Sequence, residues 1–128
     1  MHVPVAIIGA GPSGSLLAWI LRGKGIESIV LESRSREYVE GRIRAGVLEQ
    51  GTVDMLVDSG AGERLKKECL AHRGVCIGYK NEHYDLDFQN LIGRGVTVYG
   101  QQEITKDLLA ALDSENHNVL YEAPVTAI

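Results

Sequence analysis

The chain opens on an apolar run, Val3 to Ile8, rich in β-branched residues and ended abruptly by Gly9. A short run of this kind predicts a buried parallel strand. From Pro12 to Lys24 the spacing turns helical, with Leu16, Leu17, Ile20 and Leu21 on one face. Pro12 suits a first helical turn, where its missing N–H costs no hydrogen bond. Gly23 and Gly25 supply a stop, Gly25 as a left-handed cap. Ser28 to Leu31 then forms a second short apolar strand that closes at Glu32. Strand, helix and strand fit within residues 3 to 32, the compass of a compact right-handed βαβ unit in a doubly wound parallel sheet.

Beyond Glu32 the pattern loosens. Ser33 to Arg44 reads as a short helical turn and a loop, with Arg34, Arg36, Arg42 and Arg44 among few apolar positions. Helical spacing resumes from Glu49 to Ser59 and stops at Gly60; a second short helix is expected over Glu63 to Glu68. Cys69 to Tyr79 and His83 to Phe88 predict antiparallel strands around a turn at Lys80-Asn81-Glu82. Val96 to Tyr99 is a further strand and Glu103 to Leu112 an amphipathic helix, with Thr105 and the preceding turn as its start signal. Val119 to Tyr121 and Val125 to Ile128 complete the strands. The expected class is α/β, a Rossmann-like βαβ unit with a parallel sheet plus additional antiparallel strands. The last predicted strand is cut at Ile128 without a cap or polar tail. Residues 1–128 are therefore expected to be one domain's portion of a larger fold.

Composition narrows the function. The formal net charge of -4 argues against general nucleic-acid binding, which needs a basic footprint to neutralise phosphates. Cys69 and Cys76 match neither a zinc pattern nor a CxxC redox pair, so two reduced, partly buried thiols and no metal are expected. No apolar stretch is long enough for a membrane helix. The N-terminus lacks a positive n-region, and its glycines interrupt what would be the core of a signal peptide. A cytoplasmic location is expected.

Gly9-Ala10-Gly11-Pro12-Ser13-Gly14 is a GxGxxG sequence, and its context gives it weight. It follows a predicted strand, opens a helix and is answered by Glu32 at the end of the next strand. Gly9 permits the tight turn, Gly11 lets backbone approach a pyrophosphate, and Gly14 lets the helix lie close to the sheet. The free N–H groups and positive dipole end of the helix then face the diphosphate. Glu32 is placed to accept hydrogen bonds from ribose hydroxyls, and its charge disfavours a 2′-phosphate there. The motif alone does not separate FAD from NAD, because both carry ADP.

The most distinctive stretch is Gly41-Arg42-Ile43-Arg44-Ala45-Gly46-Val47-Leu48-Glu49-Gln50-Gly51. A guanidinium grips phosphate bidentately, and a glycine among small residues lets backbone approach a flat ring. The bland alternative, a solvated basic loop, loses weight directly after a nucleotide-binding unit.

With VAIIGAGPSG at the start, YVEGRIRAGVLEQG in the middle and VTVYGQQEIT further on, the chain resembles the single-component FAD-dependent aromatic hydroxylases, those acting on 4-hydroxybenzoate in particular. The resemblance covers nearly the whole chain and is looser between Ala61 and Arg94. GAGPSG is common to many flavoproteins; GRIRAGVLEQG is far more specific. The resemblance implies that Ser13 and Glu32 hold pyrophosphate and adenosine ribose. It implies that Arg42, Ile43, Arg44, Ala45, Gly46 and Val47 run beside FAD, Arg44 near the pyrophosphate and Ala45 to Val47 near the isoalloxazine. Gln101 matches a glutamine on the ribityl side, with Gln102 as its neighbouring alternative.

The same resemblance implies reduction of the flavin by NADPH or NADH, then O2-dependent hydroxylation of 4-hydroxybenzoate to 3,4-dihydroxybenzoate, in a full-length homodimer. Arg34 and Tyr38 fall where the nicotinamide cofactor is selected. Arg34 and Arg36 favour a 2′-phosphate and Glu37 opposes one, so both nicotinamides stay open. The residues that bind the aromatic acid lie beyond Ile128 in this family, so the catalytic residues are unknown and the isolated chain is expected to be inactive. A flavin hydroxylase with another aromatic substrate, a non-catalytic nucleotide-binding fragment and an NAD-dependent dehydrogenase are the alternatives. The last is weakened by the arginine loop and by the absence of a catalytic constellation.

Overall fold

A computed structural model describes residues 2–127. β1 (Val5–Ile8) runs into Gly9, whose φ of +101° is open to glycine and strained for other residues. α1 (Pro12–Gly23) follows with Pro12 in its first turn. Gly25, at φ +70°, turns the chain into β2 (Ser28–Leu31). Next come α2 (Arg36–Gly41), β3 (Val47–Glu49), α3 (Gln50–Asp58), α4 (Glu63–Glu68) and β4 (Leu70–His72). β5 (Gly74–Tyr79), β6 (Glu82–Asp87), α5 (Phe88–Ile92), β7 (Val96–Val98), α6 (Gln101–Ser114) and β8 (Val119–Leu120) complete the order.

β1, β2 and β8 form a parallel sheet in that order, with Val5 opposite Ser28 and Val30 opposite Val119. β3, β7 and β4 form an antiparallel sheet centred on β7, and β5 and β6 pair as a separate hairpin. The class is the α/β expected, a parallel βαβ unit with added antiparallel strands.

Cross-strand register puts Ile7, Val30 and Val119 in one row, and this row meets Ala18 of α1 and Leu109 and Leu112 of α6 in the first core. Leu56, Leu65, Tyr99, Ile104 and Leu108 make a second core between α3, α4 and α6. α6 therefore serves both, and each of its fully buried leucines contributes roughly 2 kcal/mol of apolar burial. Trp19 packs against both cores, as its place on α1 leads one to expect, and its Nε1–H donates to the Ser59 carbonyl at 2.7 Å.

Several expectations are corrected. β1 is covered on one face only: Ile8, opposite in sense to Ile7, is 57% exposed. The long strand over Cys69–Tyr79 is two strands broken at Arg73, because β4 pairs with β7 and β5 with β6. Phe88 opens α5 rather than ending a strand; Asp87 caps that helix by accepting the Asn90 N–H at 2.9 Å. Val47–Glu49 is strand where loop and helix were expected, since β7 offers it a partner. α6 begins at Gln101, so Thr105 lies in its second turn and not at its start. Residues 125–127 are not strand, having no strand beside them, and Ile128 lies outside the described residues. Cys69 is half-buried, but Cys76 is exposed on the hairpin; both thiols are free. His117 is half-buried, with its Nε2 3.3 Å from the Ser28 hydroxyl. Among the described residues no helix is long and apolar enough to cross a membrane.

Candidate functional site

The site grows out of the β1–α1 turn. The Gly9 N–H donates to the Leu31 carbonyl at 2.8 Å, which locks the end of β1 to the end of β2. A Cβ on Gly14 would lie 2.0 Å from the Gly9 carbonyl oxygen, so only glycine lets α1 start this close to β1. Ser15, fully buried, donates its hydroxyl to the Ala10 carbonyl at 3.0 Å and fixes the turn from below. A Cβ on Gly11 would meet nothing within 4 Å, so the space in front of it is open. Gly11 caps α1 and offers no side chain to its first turn, which leaves the positive end of the helix free for an anion.

Glu32 stands opposite. Its Oε2 accepts the Ala10 N–H at 2.9 Å, and its Oε1 accepts the Arg34 N–H at 2.8 Å and the Ser33 hydroxyl at 3.2 Å. Burial pushes this carboxyl up, but the bonds from Ala10, Arg34 and Ser33 outweigh it and hold the group below its ordinary value. It is an oriented carboxylate.

Between turn and carboxylate lies an open cleft of about 550 Å³. Gly9, Gly11, Ser13, Gly14 and Glu32 line it, and so do Arg34, Tyr38, Arg42, Arg44 and Gln101. Ser33, Val39 and Thr105 line it too and were not anticipated. Val39 and Ser33 carry no motif signal. Thr105 stands one turn after Gln101, to whose carbonyl it donates at 3.0 Å; the helical spacing would have revealed it had the helix start been read correctly.

The arginines sort by their partners. Arg22 pairs with Glu115, Arg73 with Asp87, and Arg64 with Glu68, Glu103 and Asp107. Arg36 holds Glu40 and Asp113 at 2.6 Å each, tying α2 to α6; it is structural, against its expected pull on a 2′-phosphate. Arg34, Arg42 and Arg44 line the cleft and hold no carboxylate among the described residues. Arg34 and Arg42 instead lie over the Tyr38 ring, 5.5 and 5.8 Å from its centroid. Three uncompensated guanidiniums beside a free helix N-terminus form an anion-binding surface.

The rest of the arginine loop departs from the cleft. Ile43, Ala45, Gly46 and Val47 are outside its lining, and Ile43 is 82% exposed. Gly46 also has a structural reason to be glycine: a Cβ there would sit 3.0 Å from Gly100 Cα, and its carbonyl accepts the Tyr99 N–H at 2.7 Å. Gln102 does not line the cleft; its buried Oε1 has no hydrogen-bond partner among the described residues.

A parallel βαβ unit, a glycine turn with open space before it, an oriented carboxylate and unpaired arginines define a dinucleotide-binding domain. The chain belongs to the FAD binding domain family, whose pattern matches residues 2–128. It is 44% identical over 124 residues to p-hydroxybenzoate hydroxylase of Acinetobacter baylyi, a match covering 96% of this chain and 31% of that protein. In structure it resembles PqsL of Pseudomonas aeruginosa in complex with 2-aminobenzoylacetate, with a TM-score of 0.88 at 20% identity over all of this chain and 35% of that one. It also resembles p-nitrophenol 4-monooxygenase PnpA of Pseudomonas putida, with a TM-score of 0.79 at 22% identity over 92% of this chain and 31% of that one. The chain thus spans about a third of the length of these proteins.

Proposed function

We propose that residues 1–128 are the FAD-binding part of a monooxygenase that converts 4-hydroxybenzoate to 3,4-dihydroxybenzoate with NADPH or NADH and O2. The observation that carries the cofactor is the cleft itself, where the GxGxxG turn, Glu32 and the unpaired Arg34, Arg42 and Arg44 converge. The substrate rests on the 44% identity to p-hydroxybenzoate hydroxylase.

The residues present fit the cofactor. Open space before Gly11 and the uncapped start of α1 suit a pyrophosphate, with Ser13, Gly14 and Arg44 beside it. Glu32 would accept the adenosine ribose hydroxyls. Gln101 would meet the ribityl side, Arg42 and Ile43 would run beside the cofactor, and Ala45, Gly46 and Val47 would flank the isoalloxazine. When bound, FAD supplies the redox chemistry, passing electrons from the nicotinamide to O2 and one oxygen atom to the aromatic ring. This chain's residues bind and orient it. Arg34 and Tyr38, at the rim with Arg42, would distinguish NADPH from NADH. The reading further makes the full-length enzyme a cytoplasmic homodimer acting on a small aromatic acid, and makes this chain alone unable to hydroxylate it.

The test is to extend the reading frame to the length of the relatives and assay reduced-nicotinamide oxidation with 4-hydroxybenzoate. Stoichiometric 3,4-dihydroxybenzoate supports the reading. Hydroxylation of a different aromatic acid only would move the substrate, and turnover by the 128-residue chain would refute its predicted inactivity.

A further inference from the structure

The candidate site has two arms of different construction. One is the β1–α1 turn with Glu32, anchored to the parallel sheet. The other joins the arginine loop to the start of α6 at Tyr99-Gly100. There the Tyr99 N–H donates to the Gly46 carbonyl at 2.7 Å, and Gly46 packs on the Gly100 backbone. Two residues later in the chain Gln101 enters the cleft, and two residues before Gly46 so does Arg44. Whatever fixes Tyr99 fixes both.

Tyr99 is fixed by a partly exposed polar cluster with no part in the cleft lining. Its side chain is 5% exposed, and its hydroxyl donates to Asp107 Oδ2 at 2.7 Å. The Arg64 guanidinium lies 5.6 Å from the ring centroid. Arg64 Nη1 holds Asp107 Oδ1 at 2.9 Å, Nη2 holds Glu103, and Nε holds Glu68 at 3.2 Å. One guanidinium therefore ties α4 to the first two turns of α6 while covering the tyrosine between them. Charge-assisted bonds to a half-shielded carboxylate are stronger than exposed surface pairs, and a planar fork with several fixed partners transmits position well.

We propose that Arg64 and Tyr99 are positioning residues for the flavin end of the cofactor. They hold the Arg44–Gly46 segment and Gln101 as one unit, while the ADP end is set mainly by α1 and Glu32 and meets this unit only through Arg44. The inference rests on FAD as the occupant of the cleft.

The test uses the 128-residue chain with Arg64→Met, and Tyr99→Phe as the milder change that removes one hydrogen bond. Amide hydrogen exchange at Tyr99 and Gly9 is read without ligand, and FAD and ADP affinities are then titrated. In Arg64→Met the Tyr99 amide should exchange about tenfold faster, with Gly9 within about twofold. FAD affinity should fall about tenfold, and affinity for ADP, which meets this arm only through Arg44, by about threefold or less. Tyr99→Phe should give the same pattern at smaller amplitude. Equal acceleration at both amides in both variants, equal loss of FAD and ADP affinity, or no change at Tyr99 would overturn the proposal. A native chain that binds ADP and gains nothing from the flavin half would count against the proposed cofactor instead; the exchange comparison decides the coupling without it.

Discussion

The Ala10 N–H donates to Glu32 Oε2 at 2.9 Å, across the gap between the glycine turn and the end of β2. Two positions 22 residues apart are thereby joined before any ligand arrives. With Arg34 and Ser33 on its other oxygen, the carboxylate is held in one orientation, and ordering it on binding costs little.

This geometry gives a pH signature. The folded-state pKa of Glu32 lies below its ordinary 4.5, so its contribution to stability is present above that value. It is lost as pH falls through the depressed folded value. Glu32→Gln removes the titration, and acid unfolding curves of the two proteins should converge once pH has fallen below the depressed folded value. Curves that stay parallel from neutral pH downward would show that the Ala10 bond does not discriminate between charged and neutral forms.

The two glycines of the turn should fail differently. Gly14→Ala places a Cβ 2.0 Å from the Gly9 carbonyl, backbone against backbone, and should destabilise the fold by about 2–3 kcal/mol or more. Gly11→Ala meets nothing within 4 Å and should melt like the native protein, yet bind ADP at least tenfold more weakly because the methyl group occupies the phosphate's approach. Denaturant melts and ADP titrations on both variants separate the roles. A strong binder in Gly11→Ala would show that the ligand does not pass there.

Arginines in the cleft and outside it should also separate. Arg44→Gln removes an unpaired charge lining the cleft, so affinity for FAD should drop and its salt dependence flatten, with stability nearly unchanged. Arg36→Gln breaks contacts to Glu40 and Asp113 that are 2.6 Å long but partly exposed, so a loss of about 1 kcal/mol or less is expected, with ADP affinity unchanged. Affinity loss in Arg36→Gln equal to that in Arg44→Gln would contradict the assignment.

The glycine turn, the first βαβ unit and Glu32 were legible in the sequence because local patterns set them: an apolar run, helical spacing and residues that only one geometry demands. Partnering was not legible. Arg34 and Arg36 look alike along the chain, but α6 brings Asp113 to Arg36 and nothing to Arg34. Val47 lies in a basic loop by composition and in a strand by virtue of β7, about fifty residues later. The break at Arg73 likewise follows from two different partners for its flanking strands. Thr105 and the α6 start were missed together, since Gly100 caps that helix without a side-chain signal. The resemblance named a role for Gly46; the packing on Gly100 shows a second demand on the same residue that no motif contains.

A dinucleotide site built on the β1–α1 turn and Glu32 is tested by calorimetric titration of the purified chain with ADP and with FAD, beside Glu32→Ala. Both ligands should bind saturably, FAD more tightly, and each should lose about tenfold or more in affinity in the variant. Binding unaffected by Glu32→Ala, or no ADP binding by a chain shown to be folded, would contradict it.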